Sequence, residues 1–159
     1  MLDTIDRKLL AVLQECNRAS LENLAKTVGS SRSAVARRLR RLRDGGVIRG
    51  EIAVLDGRRL GPLETYVVRL TVRREIGQLA SAFFARMNEL PQVQQCYVTT
   101  GSTNCFLIVV VRDPIELEDF VDEHLVDGPC VREFTTSLVT RSVKVSLGVP
   151  IVMPRSGEG

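Results

Sequence analysis

Arginine dominates one short stretch of this chain. Six arginines fall within residues 31–43 (SRSAVARRLRRLR), and the first acidic residue after them is Asp44. A guanidinium group binds phosphate and can donate two parallel hydrogen bonds to the O6 and N7 atoms of guanine. The stretch therefore has the chemistry of a surface for a polyanion, provided that it folds with its arginines outside.

The apolar residues inside this stretch indicate how it folds. On a helix, Val35, Leu39 and Leu42 lie within about 60° of one another and form a seam that can be buried. Arginines occupy the opposite side and the flanks. Like charges four residues apart, such as Arg37 and Arg41, destabilise a helix by about 0.2–0.5 kcal/mol, and the sequence places no acid near them. This pattern favours DNA binding over the alternative of a passive, solvated face.

Two further predicted helices precede the arginine-rich one. DTIDRKLLAVLQEC has a capping Asp3 with Asp6 three residues later, and SLENLAKTVG begins at a capping Ser20 and stops at Gly29. A helix, a Gly-Ser-Ser turn and a second helix with small residues at its start are typical of a helix-turn-helix, whose second helix enters the major groove. The following VIRGEIAVLD alternates like a strand and is predicted to form a wing.

The predicted DNA contacts follow from these positions. Small residues and arginines near the helix start are assigned to base edges, and later arginines to phosphates. The base-edge set is Ser31, Arg32, Ser33 and Arg37; the phosphate set is Arg38, Arg41 and Arg43, with Arg49 of the wing on the DNA backbone.

Charge divides the 159 residues into two parts. Residues 1–60 carry 13 Lys and Arg against 7 Asp and Glu, whereas residues 61–159 carry 9 against 12. The asymmetry predicts two modules, of which the basic one meets a polyanion. We predict a winged helix-turn-helix at 1–50, a linker strand and hinge at 51–63, a second domain at 64–148 and a flexible tail at 149–159.

Several classes of function are disfavoured by what the sequence contains. Its four cysteines form no Cys-x-x-Cys pair, and its single histidine, His124, is too few for a histidine-rich metal centre. We expect no metal and no cofactor, and the scarcity of histidine weakens most enzyme hypotheses. No segment is apolar enough to span a bilayer and the start has no export signal, so a cytosolic protein is expected.

The second part of the chain reads as βαββαβ. The predicted strands are ETYVVRLTV, VQQCYVT, CFLIVVV and FTTSLVTRSVKV. The helix GQLASAFFARMNEL places Leu79, Phe83, Met87 and Leu90 on one face, and DPIELEDFVDEHL begins with a capping Asp113. This order predicts an α+β fold in which a ferredoxin-like sandwich follows the helix-turn-helix. RNA-recognition domains share the order but stack bases on sheet aromatics, which are scarce here.

Two features of this domain concern partners. CFLIVVV does not alternate, which predicts that the sheet face away from the helices is covered by a second copy in a dimer, unless it is a central strand with an apolar outer face. The turn TTGSTN offers backbone N–H groups and hydroxyls that suit a carboxylate. The alternative for this turn is an ordinary hairpin connection.

The chain resembles the Lrp/AsnC (feast/famine) transcription regulators over nearly its whole length. The resemblance rests on LDTIDRKLLAVLQ, LENLAKTVGSSRSAVARRLRRLRDGGVIRG, LDGRRLG and VTTGSTNCFLIVVV, in that order. It implies a winged helix-turn-helix, a metabolite-sensing domain with its effector pocket at the TTGSTN turn, and dimers that often form octamers. The predicted effector set is Thr99, Thr100, Gly101, Ser102, Thr103, Asn104 and Thr136.

One departure from the family pattern keeps alternatives open. The family commonly has Gly-x-x-Asp where this chain ends in Asn104, and a neutral amide cannot pair ionically with an amino-acid ammonium group. An effector-independent, architectural DNA-organising protein is therefore a second hypothesis. A third is a sirohaem decarboxylase, which resembles the same family, but the corresponding QQCYVTT has no histidine.

Overall fold

Packing separates two units in the computed structural model, which describes residues 2–73, 75, 77–126 and 128–152. Residues 2–54 together with 145–152 form the amino-terminal module, and residues 55–144 form the sheet module. None of the helices in these ranges is long and apolar enough to cross a bilayer.

Three helices build the amino-terminal module, as predicted: α1 (Thr4–Glu15), α2 (Leu21–Val28) and α3 (Arg32–Asp44). Asp3 and Asp6 form a reciprocal capping box on α1, and Ser20 caps α2. Gly29 ends α2 at φ +66°, in the left-handed region that glycine adopts without strain. The core of the module consists of Leu9, Leu24, Ala25, Val28, Val35, Leu39 and Leu42.

The predicted wing strand is wrong for the isolated chain. Residues 47–56 form no strand, and Val54 is 91% exposed. The alternating pattern is present in the sequence, but a strand also needs a neighbour for its N–H and C=O groups. No strand of the described chain pairs with this segment.

The chain returns to α1 after the sheet module. The side-chain amide of Gln14 accepts a hydrogen bond from Val149 N (2.6 Å) and donates one to Val149 O (3.0 Å). Arg7 Nη1 donates to Val152 O (2.7 Å). In the predicted flexible tail, which begins at residue 149, Val149 and Val152 are thus hydrogen-bonded to α1. Its last seven residues lie outside the described residues.

The sheet module confirms the βαββαβ order. It contains β1 (Glu64–Val72), α4 (Gly77–Glu89), β2 (Val93–Val98), β3 (Cys105–Val111), α5 (Pro114–Val121) and β4 (Val131–Leu138). The antiparallel sheet has the order β2-β3-β1-β4. A 3₁₀ turn (Gly57–Arg59) precedes β1, and a π-helical turn (Asp122–Val126) follows α5.

Two details of this module differ from the prediction. Strand β4 begins at Val131 and ends at Leu138, because its register on β1 runs from Val72 back to Tyr66 and ends there. On α4 the buried residues are Ala80, Phe83 and Met87, whereas Leu79 is 42% exposed. The helix is thus turned slightly from the predicted face.

The two faces of the sheet differ in how deeply their residues are buried along β3. Residues that alternate along β3, such as Leu107 and Val109, are fully buried in the main core. The residues between them, Phe106, Ile108 and Val110, are half-buried on the other face. Both faces are therefore apolar along this strand, as CFLIVVV indicates.

Candidate nucleic-acid interface and effector turn

Helix α3 is formed and oriented by its own sequence. Ser31 caps it by accepting a hydrogen bond from Ala34 N (3.2 Å), and the seam of Val35, Leu39 and Leu42 is buried in the module core. Gly45 ends the helix. Because the seam faces inward, the arginines lie on the outer side and flanks of α3, as predicted.

Three of the arginines on α3 have no acidic partner among the residues that the structure describes. Arg32, Arg37 and Arg40 are exposed, and no described residue forms an ion pair or hydrogen bond with their side chains. Of these, Arg32 and Arg37 belong to the predicted base-edge set. Ser31 and Ser33 of the same set are also exposed, with their hydroxyls 3.2 Å apart.

The other three arginines are paired with carboxylates. Arg38 Nη1 donates to Asp6 Oδ1 (2.9 Å) and Asp3 Oδ2 (2.5 Å), and Arg41 Nη2 donates to Asp6 Oδ2 (2.5 Å). The expectation that no acid lies near Arg37 and Arg41 is thus wrong for Arg41. Sequence reasoning assigned Asp3 and Asp6 only to capping, because their distance from α3 along the chain hides the contact.

Arg43 and Arg49 lie at the end of α3 and beyond it. Arg43 donates from Nε (3.2 Å) and Nη2 (2.8 Å) to the same oxygen of Glu51. Arg49 is exposed in the segment that forms no strand. Both retain exposed surface, so their predicted contacts with the DNA backbone stay predictions.

The pairing changes the acid–base properties of two of these groups. Hydrogen bonds to Asp3 and then Asp6 raise the pKa of Arg38, which stays charged. The pKa of Asp3 is lowered, first by the hydrogen bond from the Asp6 backbone and then by Arg38. Both shifts favour the charged forms of Asp3 and Arg38.

The turn between β2 and β3 is built from residues 99–104. Gly101 has φ +104°, which a side chain would strain. Thr99 Oγ1 donates to Thr103 O (3.1 Å), and Thr99 N donates to Asn104 O (2.9 Å). Within the described chain, the backbone N–H groups of residues 100–103 have no acceptor. They are free to bind an anion such as a carboxylate.

Asn104 serves the sheet. Asn104 is buried. Its side-chain Oδ1 accepts a hydrogen bond from Val72 N (2.8 Å), and its Nδ2 donates one to Val72 O (2.8 Å). The side-chain amide thus imitates a strand residue and extends the pairing at the end of β1. One N–H and one lone pair of the amide are therefore used within the sheet.

Thr136 lies apart from the turn. It is exposed on β4 opposite Val68 and therefore shares the helix-covered face of the sheet. Thr71, on the other face, has its Oγ1 3.2 Å from Ser102 O and 3.0 Å from Glu133 Oε1. Thr71 and Glu133 were missed by sequence reasoning, because only the register of β4 on β1 brings them beside the turn.

The cysteines show no site of their own. Cys16 is exposed, Cys96 is half-buried, and Cys105 and Cys130 are buried, and no two of these four form a disulfide. In the part of the chain that the structure describes, no three His, Cys, Asp or Glu side chains group as metal ligands would.

Comparison with known proteins assigns both modules. Residues 2–43 match the AsnC-type helix-turn-helix domain, and residues 65–149 match the Lrp/AsnC ligand binding domain. This chain belongs to the Lrp/AsnC family. The Lrp/AsnC relatives include the transcriptional regulator AzlB of Bacillus subtilis, 32% identical over 95% of this chain and 96% of its own length. A leucine-responsive regulatory protein of Rhizobium meliloti is 33% identical over 94% of this chain and 96% of its own.

A solved structure agrees with this Lrp/AsnC membership. The transcriptional regulator of Neisseria meningitidis in complex with L-Met matches with a TM-score of 0.83 and 29% identity, over 94% of this chain and 97% of that one. The chain is accordingly a DNA-binding transcriptional regulator with a metabolite-sensing domain, and not an enzyme. The decarboxylase hypothesis is not favoured.

Proposed function

We propose that a dimer of this chain binds a roughly palindromic DNA site with one α3 in the major groove of each half-site. The observation that carries the proposal is the outer face of α3, where Arg32, Arg37 and Arg40 have no carboxylate partner among the described residues. Ser31 and Ser33 leave room for close approach to base edges. The half-sites would be about one turn of the DNA helix apart, or a multiple of it. We expect the protein to bind this DNA in the cytoplasm.

The half-buried face of the sheet supports the dimer. Val67, Phe106, Ile108 and Val110 form an apolar surface on the side away from the helices. Large apolar patches of this kind are usually covered by another chain. The exposed Ile52, Val54 and Leu55 add surface that a second copy would cover. An octamer would need further contacts between dimers.

An amino acid is the proposed effector. Its carboxylate would bind the free backbone N–H groups of residues 100–103, and its ammonium group would pair with Glu133, which Thr71 links to the turn. Glu133 thereby supplies the negative charge that Asn104 lacks. The L-Met complex of the Neisseria meningitidis regulator and the leucine-responsive relative support this class of ligand.

DNA binding across a range of salt concentrations tests the proposal. The full chain is titrated onto a fluorescent duplex recovered by selection from random DNA, between about 50 and 200 mM salt. With about six phosphate contacts per dimer, the affinity falls by about a thousandfold. An affinity that does not change across this range of salt would count against DNA binding by the arginines of α3.

The same assay tests the effector. Each of the common amino acids is added in turn, and a change in DNA affinity or in assembly size is expected for at least one. Glu133→Gln should weaken that response, whereas Glu118→Gln, which removes an exposed carboxylate on α5, should leave it intact.

One observation favours a second candidate function. The amide of Asn104 is committed to Val72, which rigidifies the turn and removes one polar group from any ligand. An architectural protein that organises DNA without an effector would need no such ligand. Salt-dependent DNA binding with no response to any amino acid would favour it.

A further inference from the structure

A fully buried carboxylate connects α1 to the proposed DNA-binding helix. Asp6 is 0% exposed, and its two oxygens accept hydrogen bonds from Arg38 and Arg41 of α3. A carboxylate without partners is very costly to bury, so the folded module retains these contacts. Asp6 therefore fixes two guanidinium groups before any DNA arrives.

Arg38 and Arg41 differ in the exposed fraction of their side chains and in the N–H groups that remain available. The Arg38 side chain is 21% exposed, and its Nη1 is shared between Asp3 and Asp6. The Arg41 side chain is 59% exposed and uses only Nη2, on Asp6. Because a guanidinium has five N–H donors, Arg41 still presents donors to the solvent, whereas Arg38 presents few.

We propose that Asp6 is a positioning residue for DNA recognition: it holds Arg41 with its open donors outward for a phosphate, and with Asp3 it withholds Arg38 from the duplex. The inference rests on the proposed DNA binding and revises one predicted contact, that of Arg38. A guanidinium already held in place loses less conformational entropy on binding than a mobile one. Asp6 also reduces the repulsion between Arg41 and Arg37, which lies one turn away and has no carboxylate partner in the described ranges.

Specificity is the property that should report this role. In Asp6→Asn the net charge rises by one and Arg41 becomes mobile. Binding to random DNA should strengthen slightly because it depends on charge alone. Binding to the selected site should weaken because a fixed contact is lost. We expect the ratio of the two affinities to fall about tenfold, the effect of about 1.4 kcal/mol.

Matched variants separate positioning from charge and from folding. Asp44→Asn makes the same change of charge at an exposed position at the end of α3, and should leave the ratio within about twofold. The double variant Asp6→Asn, Arg38→Gln restores the net charge and removes the buried acid together with its most buried partner. It should still lose discrimination, because Arg41 has no anchor. Circular dichroism establishes that each variant is folded.

The salt dependence provides a second readout. Arg41→Gln should reduce the slope of log affinity against log salt by about 0.9 for each copy on a phosphate, whereas Arg38→Gln should leave the slope unchanged and lower only the melting temperature. Equal slopes for both variants, or a ratio in Asp6→Asn that matches wild type, would overturn the proposal. If wild type selects no duplex at all, DNA binding itself fails, and that result appears before any variant is made.

Discussion

Asp6 in the amino-terminal module and Asn104 in the sheet module are both buried polar side chains at the edge of a proposed site. Asp6 is charged and holds the side chains of a neighbouring helix, whereas Asn104 is neutral and holds the backbone of a neighbouring strand. A carboxylate can only accept hydrogen bonds, and an amide both donates and accepts. Each residue type thus matches what surrounds it, and the two are not interchangeable.

Replacing Asn104 should have the largest effect on this comparison. Asn104→Leu leaves both Val72 N–H and C=O buried without a partner, which should cost about 2–5 kcal/mol in the free energy of unfolding. Asn104→Asp retains the acceptor but sets a carboxylate against Val72 O, at a cost of about 1–3 kcal/mol. Urea unfolding and hydrogen exchange of β1 and β3 measure the loss.

The family pattern makes the aspartate variant informative. If Asn104→Asp were as stable as wild type near neutral pH and tightened amino-acid binding, the structural role of Asn104 would be refuted. Thr100→Leu is the control: it changes an exposed residue of the same turn and should alter stability by less than about 0.5 kcal/mol.

Replacing Arg37 tests the side of α3 whose arginines form no ion pair with a described residue. Because it is exposed and unpaired among the described residues, Arg37→Ala should weaken binding to the selected duplex by about tenfold or more, with a smaller loss on random DNA. Fluorescence anisotropy measures both. Arg86→Ala removes the same charge from the sheet module and serves as the control. Equal losses on the two duplexes would contradict a base contact by Arg37.

Gln14 extends the comparison, because its side-chain amide also forms hydrogen bonds with both backbone groups of one residue, Val149. Unlike Asn104, it does so at an exposed position. Gln14→Ala should cost about 1 kcal/mol, less than the buried Asn104. It should also speed digestion of the chain end by carboxypeptidase and hydrogen exchange at Val149. Glu15→Ala, next to it on α1, should change neither; a similar change in both would remove the clamp interpretation.

His124 is a third buried polar side chain, and its Nδ1 has no hydrogen-bond partner in the described chain. Desolvation lowers its pKa below the ordinary 6.5, against an opposing effect of Glu123, while Arg86 lowers it further. The unfolded chain therefore takes up the proton first as pH falls. The effect of His124 on the free energy of unfolding should therefore be constant above about pH 6.5, and the free energy of unfolding should decrease below that pH.

This pH effect is the smallest of the four. Urea unfolding between about pH 5 and pH 7 measures it, with His124→Gln as the reference that lacks the titrating ring. The difference in stability between the two proteins should change with pH in favour of the variant as pH falls. A constant difference would show that His124 does not contribute to the pH dependence.

Local pattern predicted most of the elements. The caps at Asp3, Ser20 and Asp113, the stop at Gly29 and the inward seam of α3 all depend on residues within about four positions of one another, and all are confirmed. The βαββαβ order is confirmed for the same reason. The wing strand is the exception, because a strand needs a partner and no strand among the described residues pairs with residues 47–56.

The sequence by itself determined which side of α3 carries the arginines and which residues can cap, turn or alternate, because those properties repeat with the period of one helix or strand. Only the tertiary structure decided which arginines are already paired and which polar groups border the turn. Asp6 meets Arg41 across 35 positions, and Thr71 meets Glu133 across 62. Such contacts arise from packing and strand register, for which no neighbouring residue gives a signal.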